Sequence, residues 1–287
     1  AATLDLTPDA VVGKPDFTTP NSGSSGATTL YGPVQVAEDP VTGALWVADY
    51  LTNRVLRFSS AAGFSSGEAA NLVLGQADFS ASGCNRGGTP AANTLCSSSG
   101  VAVDQAGRLY VSDSGNNRIL VYVAPFTSGM AATWVIGQAN FTTNAANRGG
   151  TPGANTLATQ QALALDRSGN LYVADWGNQR VLKFDAPAIT GASASKVFGQ
   201  PDFTSNTSNN GGRSASSLSY PMSVAVDRDD NLWIADTLNA RVLRFDAGAA
   251  AGDTTADLVL CQSDFINGSS GTTASNCESP NGVSVDR

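Results

Sequence analysis

Histidine is absent from the 287-residue sequence, and this absence removes several kinds of chemistry. Without histidine there can be no serine–histidine–aspartate triad, no histidine general base and no histidine metal ligand. Charged residues are also scarce, because they make up 14% of the chain where ordinary domains carry about a quarter. Serine, threonine, asparagine and glycine must therefore supply much of the solvated surface, which is common in exported proteins.

Positive charge is scarce as well, with 16 Lys and Arg against 24 Asp and Glu and a formal net charge of −8. Such a chain would repel a phosphate backbone, so we expect no nucleic-acid partner. No run of about 18 apolar residues is present that could span a membrane. The sequence opens with Ala1-Ala2-Thr3-Leu4, which resembles the start of a mature chain after signal-peptide removal. We therefore expect a secreted or cell-surface protein, extracellular or periplasmic.

The four cysteines, Cys84, Cys96, Cys261 and Cys277, fall into two local pairs. Cys96 and Cys277 stand at nearly the same place in the repeat described below, and each has an upstream partner that would close the same loop. We expect two local disulfides rather than free thiols, although four cysteines allow three pairings and spacing alone does not choose among them. A zinc site is not expected, because no C-x-x-C knuckle occurs. Disulfides would imply an oxidising compartment.

A repeat of 62 residues runs along the chain. Its first mark is the phrase Gly-Gln-x-Asp-Phe, and its second is Leu-aromatic-Val-Ala-Asp followed, after four residues, by Arg-Val-Leu-Arg-Phe. A third mark is a short apolar segment that ends in aspartate, as at 101–104. The first mark begins, at steps of 62 residues, at Gly13, Gly75, Gly137, Gly199 and Cys261.

Each repeat thus contains four short apolar segments, which we label a to d in chain order, and turn residues bound each of them. Helical periodicity is nowhere sustained. Both sides of segment b are apolar or small, which is the pattern of a sheet that is covered on both faces. Four antiparallel strands that recur as a unit predict the blade of a β-propeller, in which neighbouring blades bury the faces that a single blade would expose.

The repeat predicts an all-β fold, with four complete four-stranded blades in a single domain over residues 1–287. A partial closing blade would combine residues 10–17 with residues 280–287. Its second and third strands are missing, so we expect that the sequence is incomplete at its C-terminus. The complete blades are predicted at about residues 31–79, 98–141, 159–203 and 219–265.

The segment from Leu171 to Phe184, Leu-Tyr-Val-Ala-Asp-Trp-Gly-Asn-Gln-Arg-Val-Leu-Lys-Phe, resembles the NHL repeat, and the resemblance recurs four times over nearly the whole chain. NHL propellers commonly have six blades, so the resemblance implies six in the complete ring. The amidating lyase of this kind uses histidine ligands for zinc, and the streptogramin lyase propeller uses a catalytic histidine. Neither activity can be carried over to a chain without histidine. The fold alone assigns no activity, because NHL propellers serve many roles.

Propeller lactonases offer an alternative function, a calcium-dependent hydrolase, because they hold calcium in the central channel through acidic and amide side chains. In this chain the inner segments a would offer a poor set of calcium ligands. The acidic turn at 227–231 could also bind calcium, but we interpret it as a solvated turn. We therefore expect no cofactor. The side chains that segments a place between their aliphatic residues are Gln35, Ala102, Ala164, Ala225 and Ser284.

An aspartate ends segment b and an arginine begins segment c in every repeat. The two could form a ring that grips a polar ligand, or a structural clamp in which the aspartate accepts backbone N–H groups and the arginine pairs with it. Because a ligand site usually breaks internal symmetry, repetition in every blade favours the clamp. The residues are Asp49, Arg54, Asp113, Arg118, Asp175, Arg180, Asp236 and Arg241.

The loops between segments d and a are the candidate binding surface. The phrase Asn-Arg-Gly-Gly-Thr-Pro occurs at 85–90 and again at 147–152, and a looser copy lies at 209–213. These loops of about 15 to 20 residues are long for a compact domain, and such loops are often functional. The d–a and b–c loops of a propeller open on one face, which would also carry the cysteine pairs. Loops that only pack on one another are the alternative. The candidate binding residues are Asn85, Arg86, Asn147, Arg148 and Arg213.

These observations predict an extracellular binding or scaffold module without catalytic activity. It would present its loop-rich face to a protein, a peptide or a glycan. Low charge and polar loops would also suit a homo-oligomer that assembles on a surface or in a filament.

Overall fold

The structure is a computed structural model that describes residues 8–20, 25–59, 64–250 and 252–286. The predicted start of the mature chain, Ala1 to Leu4, lies outside these residues. Within them the chain forms strands, turns and short 3-10 helices, and no α-helix. The predicted all-β class is confirmed. None of the helices in the described part has the length and apolar character needed to cross a membrane.

Strands of the described chain form four antiparallel sheets, and each sheet has four strands paired in chain order. The first blade contains β1 (Pro33–Glu38), β2 (Leu45–Asp49), β3 (Arg54–Phe58) and β4 (Leu72–Leu74). The second contains β5 (Ser98–Val103), β6 (Leu109–Asp113), β7 (Arg118–Tyr122) and β8 (Trp134–Ile136). The third contains β9 (Leu163–Leu165), β10 (Leu171–Asp175), β11 (Arg180–Phe184) and β12 (Lys196–Phe198). The fourth contains β13 (Pro221–Val226), β14 (Leu232–Asp236), β15 (Arg241–Phe245) and β16 (Leu258–Leu260).

The four sheets form a β-propeller, as the repeat predicts. Their first strands lie next to one another in chain order around a common axis, with β1 beside β5, β5 beside β9 and β9 beside β13. A complete ring of six blades remains a prediction. Segments 10–17 and 280–286 form no strand in the structure, so the predicted closing blade also remains a prediction.

Strand β10 shows why these short sequences form buried sheets. Leu171 and Val173 point to one side, where they join a cluster with side chains of the second blade. Tyr172 and Ala174 point to the other side, where they pack against the fourth blade. The alternation along the strand therefore places two apolar faces against two different neighbours, and the strand is buried along its whole length.

The hairpin between the second and third strands of each blade ends with an aspartate opposite an arginine. Asp175 pairs with Arg180 across the last position of the ladder between β10 and β11, and the other three blades have the same register. Because paired residues of an antiparallel ladder place their side chains on the same side, the register itself brings each carboxylate to its guanidinium.

Gln35 links three blades at the axis. Its Nε2 donates to the carbonyl oxygen of Leu163 at 2.8 Å, and its Oε1 accepts from the backbone N–H groups of Val101 and Leu163, both at 3.2 Å. These backbone groups lie on the inner edges of β5 and β9, which no further strand covers. The side chain satisfies them and ties the first blade to the second and third, so its role in the structure is to bridge inner strands.

Candidate functional site: the loop face

The loop face is the end of the propeller at which the b–c and d–a loops open. Each blade has four strands that alternate in direction. The b–c and d–a loops therefore lie at one end of the strands, and the a–b and c–d connections lie at the other. The b–c loops are short 3-10 turns, such as Ser114–Asn116, and the d–a loops are longer, with a second 3-10 turn such as Cys84–Gly87.

Each blade has a buried ion pair beneath the loop face, between the aspartate and the arginine that the sequence singles out. The shortest N···O distances lie between 2.6 and 3.1 Å, and every one of these side chains is fully buried. None of these carboxylates or guanidiniums is therefore exposed to a ligand from solution. The pairs are Asp49–Arg54, Asp113–Arg118, Asp175–Arg180 and Asp236–Arg241.

The third blade shows what each pair holds together. Oδ1 of Asp175 accepts from the backbone N–H of Ala158, at the end of the incoming d–a loop, at 2.8 Å. Arg180 donates to the carbonyl oxygens of Gly153 and Thr156 in the same loop, both at 3.0 Å, and to that of Phe203 after the last strand. One ion pair thus fixes the hairpin, the loop that enters the blade and the segment that leaves it.

Burial raises the pKa of Asp113, Asp175 and Asp236 above the ordinary value for aspartate. At each of these aspartates, the partner arginine, a backbone N–H and an asparagine amide lower the pKa. The charge of each carboxylate therefore depends on its arginine, because burial without that partner would favour the neutral acid.

The candidate residues Asn85 and Asn147 lie in reciprocal amide pairs with the b–c loop of the next blade. Asn85 donates to Asn116 at 3.1 Å and accepts from it at 2.8 Å, and Asn147 and Asn178 exchange two bonds of 2.9 Å. Asn116 also donates to Oδ2 of Asp113 at 2.8 Å. The amides therefore connect the long loops to the buried ion pairs, and this use of their side chains limits what they offer a ligand.

The candidate arginines also bind within the protein. Arg86 donates to the carbonyl oxygens of Gly75 and Gln76 at 3.3 and 2.9 Å, and Arg148 donates to that of Gly137 at 3.3 Å. Arg213 is exposed, although its Nε donates to the amide oxygen of Asn239 at 2.9 Å. Asn85 is buried, and Arg86, Asn147 and Arg148 are partly buried, so Arg213 is the most accessible of the five candidates.

Asn53 and Asn117 are link residues between blades that the sequence did not single out for this role. Asn117 has a left-handed backbone, with φ of 51°; its Nδ2 donates to the carbonyl of Asn144, and its Oδ1 accepts from the N–H of Thr159 at 2.7 Å. Asn53 makes the same two bonds one repeat earlier. The available signal was an asparagine before the arginine of segment c, since asparagine tolerates the left-handed conformation.

The structure joins Cys84 to Cys96 and Cys261 to Cys277. The two disulfides do not close the loop at the same positions. Cys261 takes the place of the positive-φ glycine of the Gly-Gln phrase, and Cys277 takes the place of the leucine that packs against this glycine in the other repeats. Those glycine–leucine contacts are Gly75–Leu95, Gly137–Leu157 and Gly199–Leu218.

The Cys84–Cys96 positions are occupied by Ala146 and Ala158 in the next loop, and by Ser208 and Ser219 in the one after, where the hydroxyl oxygens lie 2.8 Å apart. We expect the double substitution Ala146→Cys/Ala158→Cys to form a third disulfide. It should stabilise the chain by about 2 to 3 kcal/mol, because the closed loop is short. Intact mass, and melting temperature with and without reductant, would check this.

The matched control for that experiment is Ala146→Ser/Ala158→Ser, which introduces the serine pair of the third loop and cannot form a covalent bond. If the cysteine variant keeps two free thiols after oxidation, the two loops do not share one geometry.

The exposed part of the loop face is uncharged over long stretches. Glycine, threonine, serine and asparagine form the tips of the d–a loops, and Thr89 and Thr151 are exposed at equivalent places of two loops. In the described residues, no group of three or more His, Cys, Asp or Glu side chains is placed to hold a metal ion. The face thus offers hydroxyl and amide groups, with separate exposed carboxylates such as those of Asp78 and Asp202, rather than a cluster of charges.

The NHL repeat family model matches residues 95–122 and 161–184, which contain the b–c hairpins of the second and third blades. A search among curated proteins finds no significant match. Among solved structures, the chain is similar to a Bacteroides thetaiotaomicron protein of unknown function, with a TM-score of 0.55 and 16% identity over 90% of this chain and 55% of that chain.

Two further solved structures are similar at lower TM-scores. A catalytically inactive virginiamycin B lyase from Staphylococcus aureus with quinupristin gives 0.45, at 13% identity over 83% of this chain and 57% of that one. Kuenenia stuttgartiensis hydrazine synthase gives 0.49, at 12% identity over 84% and 52%. The chain spans little more than half the length of these three chains, and identities this low show the fold alone.

Proposed function

Because the chain is a β-propeller that carries NHL repeats, we propose that it is an extracellular binding or scaffold module with no catalytic activity of its own. The loop face would be the binding surface, and a protein, a peptide or a glycan would be the partner. The two disulfides support an oxidising, extracellular location.

The observation that carries the proposal is the rigid repetition of the long loops. In the d–a loops that enter the second and third blades, the turns that begin at Cys84 and Ala146 have nearly identical backbone angles. Amide pairs hold both turns from below, and buried arginines hold the part of each loop that follows. A ligand would therefore meet similar preformed tips at a fixed spacing, and little conformational entropy would be lost on binding.

The same repetition argues for weak contacts in several copies rather than for one reactive centre. Hydroxyl, amide and glycine groups dominate the tips, and the carboxylates and guanidiniums of the interior ion pairs are buried beneath them. Several weak contacts from one rigid body can add up to useful avidity when the partner is itself repetitive.

Lysine substitutions at the loop tips test the proposal. The biotinylated protein would be applied to arrays of glycans and of peptides, and we expect it to bind one class. Thr89→Lys/Thr151→Lys should abolish that binding, because both side chains are exposed and have no role in the internal contacts described above.

The control is Gln105→Lys/Ser168→Lys, which adds the same charge at exposed a–b turns on the opposite face and should leave binding intact. A chelator should also leave folding and binding unchanged, since we propose no metal. Equal loss in both lysine variants, or no binding to any array, would contradict the proposal.

A further inference from the structure

A groove lies between the third and fourth blades, on the face opposite the loop face. We call it the interblade groove, and it encloses a cavity of about 260 Å³. Its walls are the buried side chains of Tyr172, Phe198, Leu232 and Phe245. Phe198 packs edge-on against Phe245, with ring centroids 5.1 Å apart, so the groove has a preformed aromatic wall.

A cavity of similar volume, about 270 Å³, lies between the first and second blades, but the fourth blade departs from the repeat in what lies beside the aromatic ring. Between the first and second blades, Phe126 covers the ring of Trp46 at a centroid distance of 4.9 Å. Between the second and third blades, the carbonyl oxygen of Pro187 accepts a bond from the hydroxyl of Tyr110 at 3.2 Å. The fourth blade fills these places with small residues. The residues equivalent to Pro125-Phe126 and Pro187-Ala188 are Gly248-Ala249.

The fourth blade also places carboxylates where other blades have none. Asp230 stands where the second and third blades have a turn glycine, Asp257 stands where they have Thr133 and Ser195, and the c–d loop that carries Asp253 has one residue more. A ligand site usually breaks internal symmetry, and here shape and charge depart from the repeat at the same place. The lining contains five aspartates, Asp166, Asp230, Asp246, Asp253 and Asp257, and two lysines, Lys183 and Lys196.

Two of these carboxylates have guanidinium partners, Asp230 with Arg167 and Asp246 with Arg244. Asp166, Asp253 and Asp257 form no ion pair with the residues that the structure describes. Oδ1 of Asp253 accepts from the backbone N–H of Thr255, and Oδ2 of Asp257 accepts from that of Asp246. The groove thus keeps an excess of negative charge beside an aromatic wall.

Lys196 shows which chemistry this environment accommodates. Its ammonium lies 5.7 Å from the centroid of the Phe198 ring and donates to the carbonyl oxygen of Asp253 at 3.1 Å. An ammonium group is therefore already placed between an aromatic face and the acidic c–d loop, although this one belongs to the protein.

We propose that the interblade groove binds an alkylammonium group. The alkyl chain would pack against Phe245 and Leu232, and the ammonium would meet the carboxylates of Asp253 and Asp257. A metal ion is a poorer match, because within the described residues no three carboxylates are placed to hold one. The shared chemistry could come from a lysine side chain of a peptide or from a free diamine, and the experiment separates these two sources.

The test is a titration followed by NMR chemical shifts or calorimetry, with three probes applied to the full chain. The first is Nα-acetyl-lysine methylamide, the second is cadaverine, and the third is the lysine probe acetylated at Nε as a neutral control. We expect saturable binding of a cationic probe, at least about tenfold tighter than binding of the neutral control, and weakening as salt is raised.

Ala249→Phe should weaken binding by at least about tenfold, because it puts into the groove the ring that Phe126 supplies between the first and second blades. Ala250→Phe is the matched control, since it adds the same ring at an exposed neighbouring position. Asp257→Asn should weaken the cationic probes and leave the neutral probe unchanged. Melting temperatures would verify that each variant is folded.

Tighter binding of the cationic probe Nα-acetyl-lysine methylamide would assign the groove to lysine side chains of peptides. Tighter binding of cadaverine would assign it to free amines. Equal affinity for the charged and neutral probes, or undiminished binding by folded Ala249→Phe, would overturn the proposal.

Discussion

Arg180→Ala is expected to lower the melting temperature by about 10 °C, because breaking a buried ion pair costs about 3 to 5 kcal/mol and each kcal/mol shifts a chain of this size by about 2 to 4 °C. Both side chains of the Asp175–Arg180 pair are fully buried, so the substitution leaves the carboxylate of Asp175 inside the protein without its charged partner. The substitution also removes the donor to the carbonyl oxygens of Gly153 and Thr156. Thermal unfolding followed by circular dichroism at one scan rate would measure the loss.

The matched control is the exposed ion pair between Arg167 and Asp230, in which the arginine side chain is 69% exposed. Arg167→Ala should cost less than about 1 kcal/mol, because solvent screens an exposed pair and takes over its hydrogen bonds. If Arg180→Ala melts within the error of the Arg167→Ala variant, the buried pair does not stabilise the blade. Arg118→Ala in the second blade should reproduce the larger effect, because its contacts are the same.

The repeat and the strands could be predicted because both depend on local pattern. The alternation of Leu171, Tyr172, Val173 and Ala174 is enough to predict a strand with two buried faces, and the structure has that strand. The aspartate and arginine of each b–c hairpin are also local, since only four residues lie between them and the ladder places them opposite each other.

The roles of the d–a loop residues could not be predicted from local sequence pattern. Asn85 is a polar residue in a long loop, a setting that is common for binding residues. Its partner, Asn116, is 31 residues away, and only the folded path of the loop over the second blade brings the two amides together. The interblade groove was missed for a related reason. Gly248 and Ala249 carry no chemistry, and their meaning appears only when they are compared with Phe126, which fills the equivalent position beside Trp46.

Gly199→Ala is expected to destabilise the chain by about 3 kcal/mol, because a left-handed residue with a Cβ costs about 1 to 2 kcal/mol and overpacking adds about 1 to 3 kcal/mol. Gly199 has a φ of +87°, and a Cβ built there would lie 2.5 Å from the buried side chain of Leu218. Gly212→Ala is the matched control, since Gly212 has an extended backbone and no atom within 4 Å of the added Cβ. Melting temperatures of the two variants would test the difference.

The fourth repeat indicates how the chain can tolerate a side chain at this position. There Cys261 has a φ of 71°, and the leucine that would obstruct it is replaced by Cys277, at a Cα–Cα distance of 5.2 Å. Gly199→Cys/Leu218→Cys should therefore form a disulfide and recover much of the stability that Gly199→Cys alone loses, and reductant should reverse the recovery. A double variant that melts no higher than the single one would mean that the third and fourth loops differ in more than these two residues.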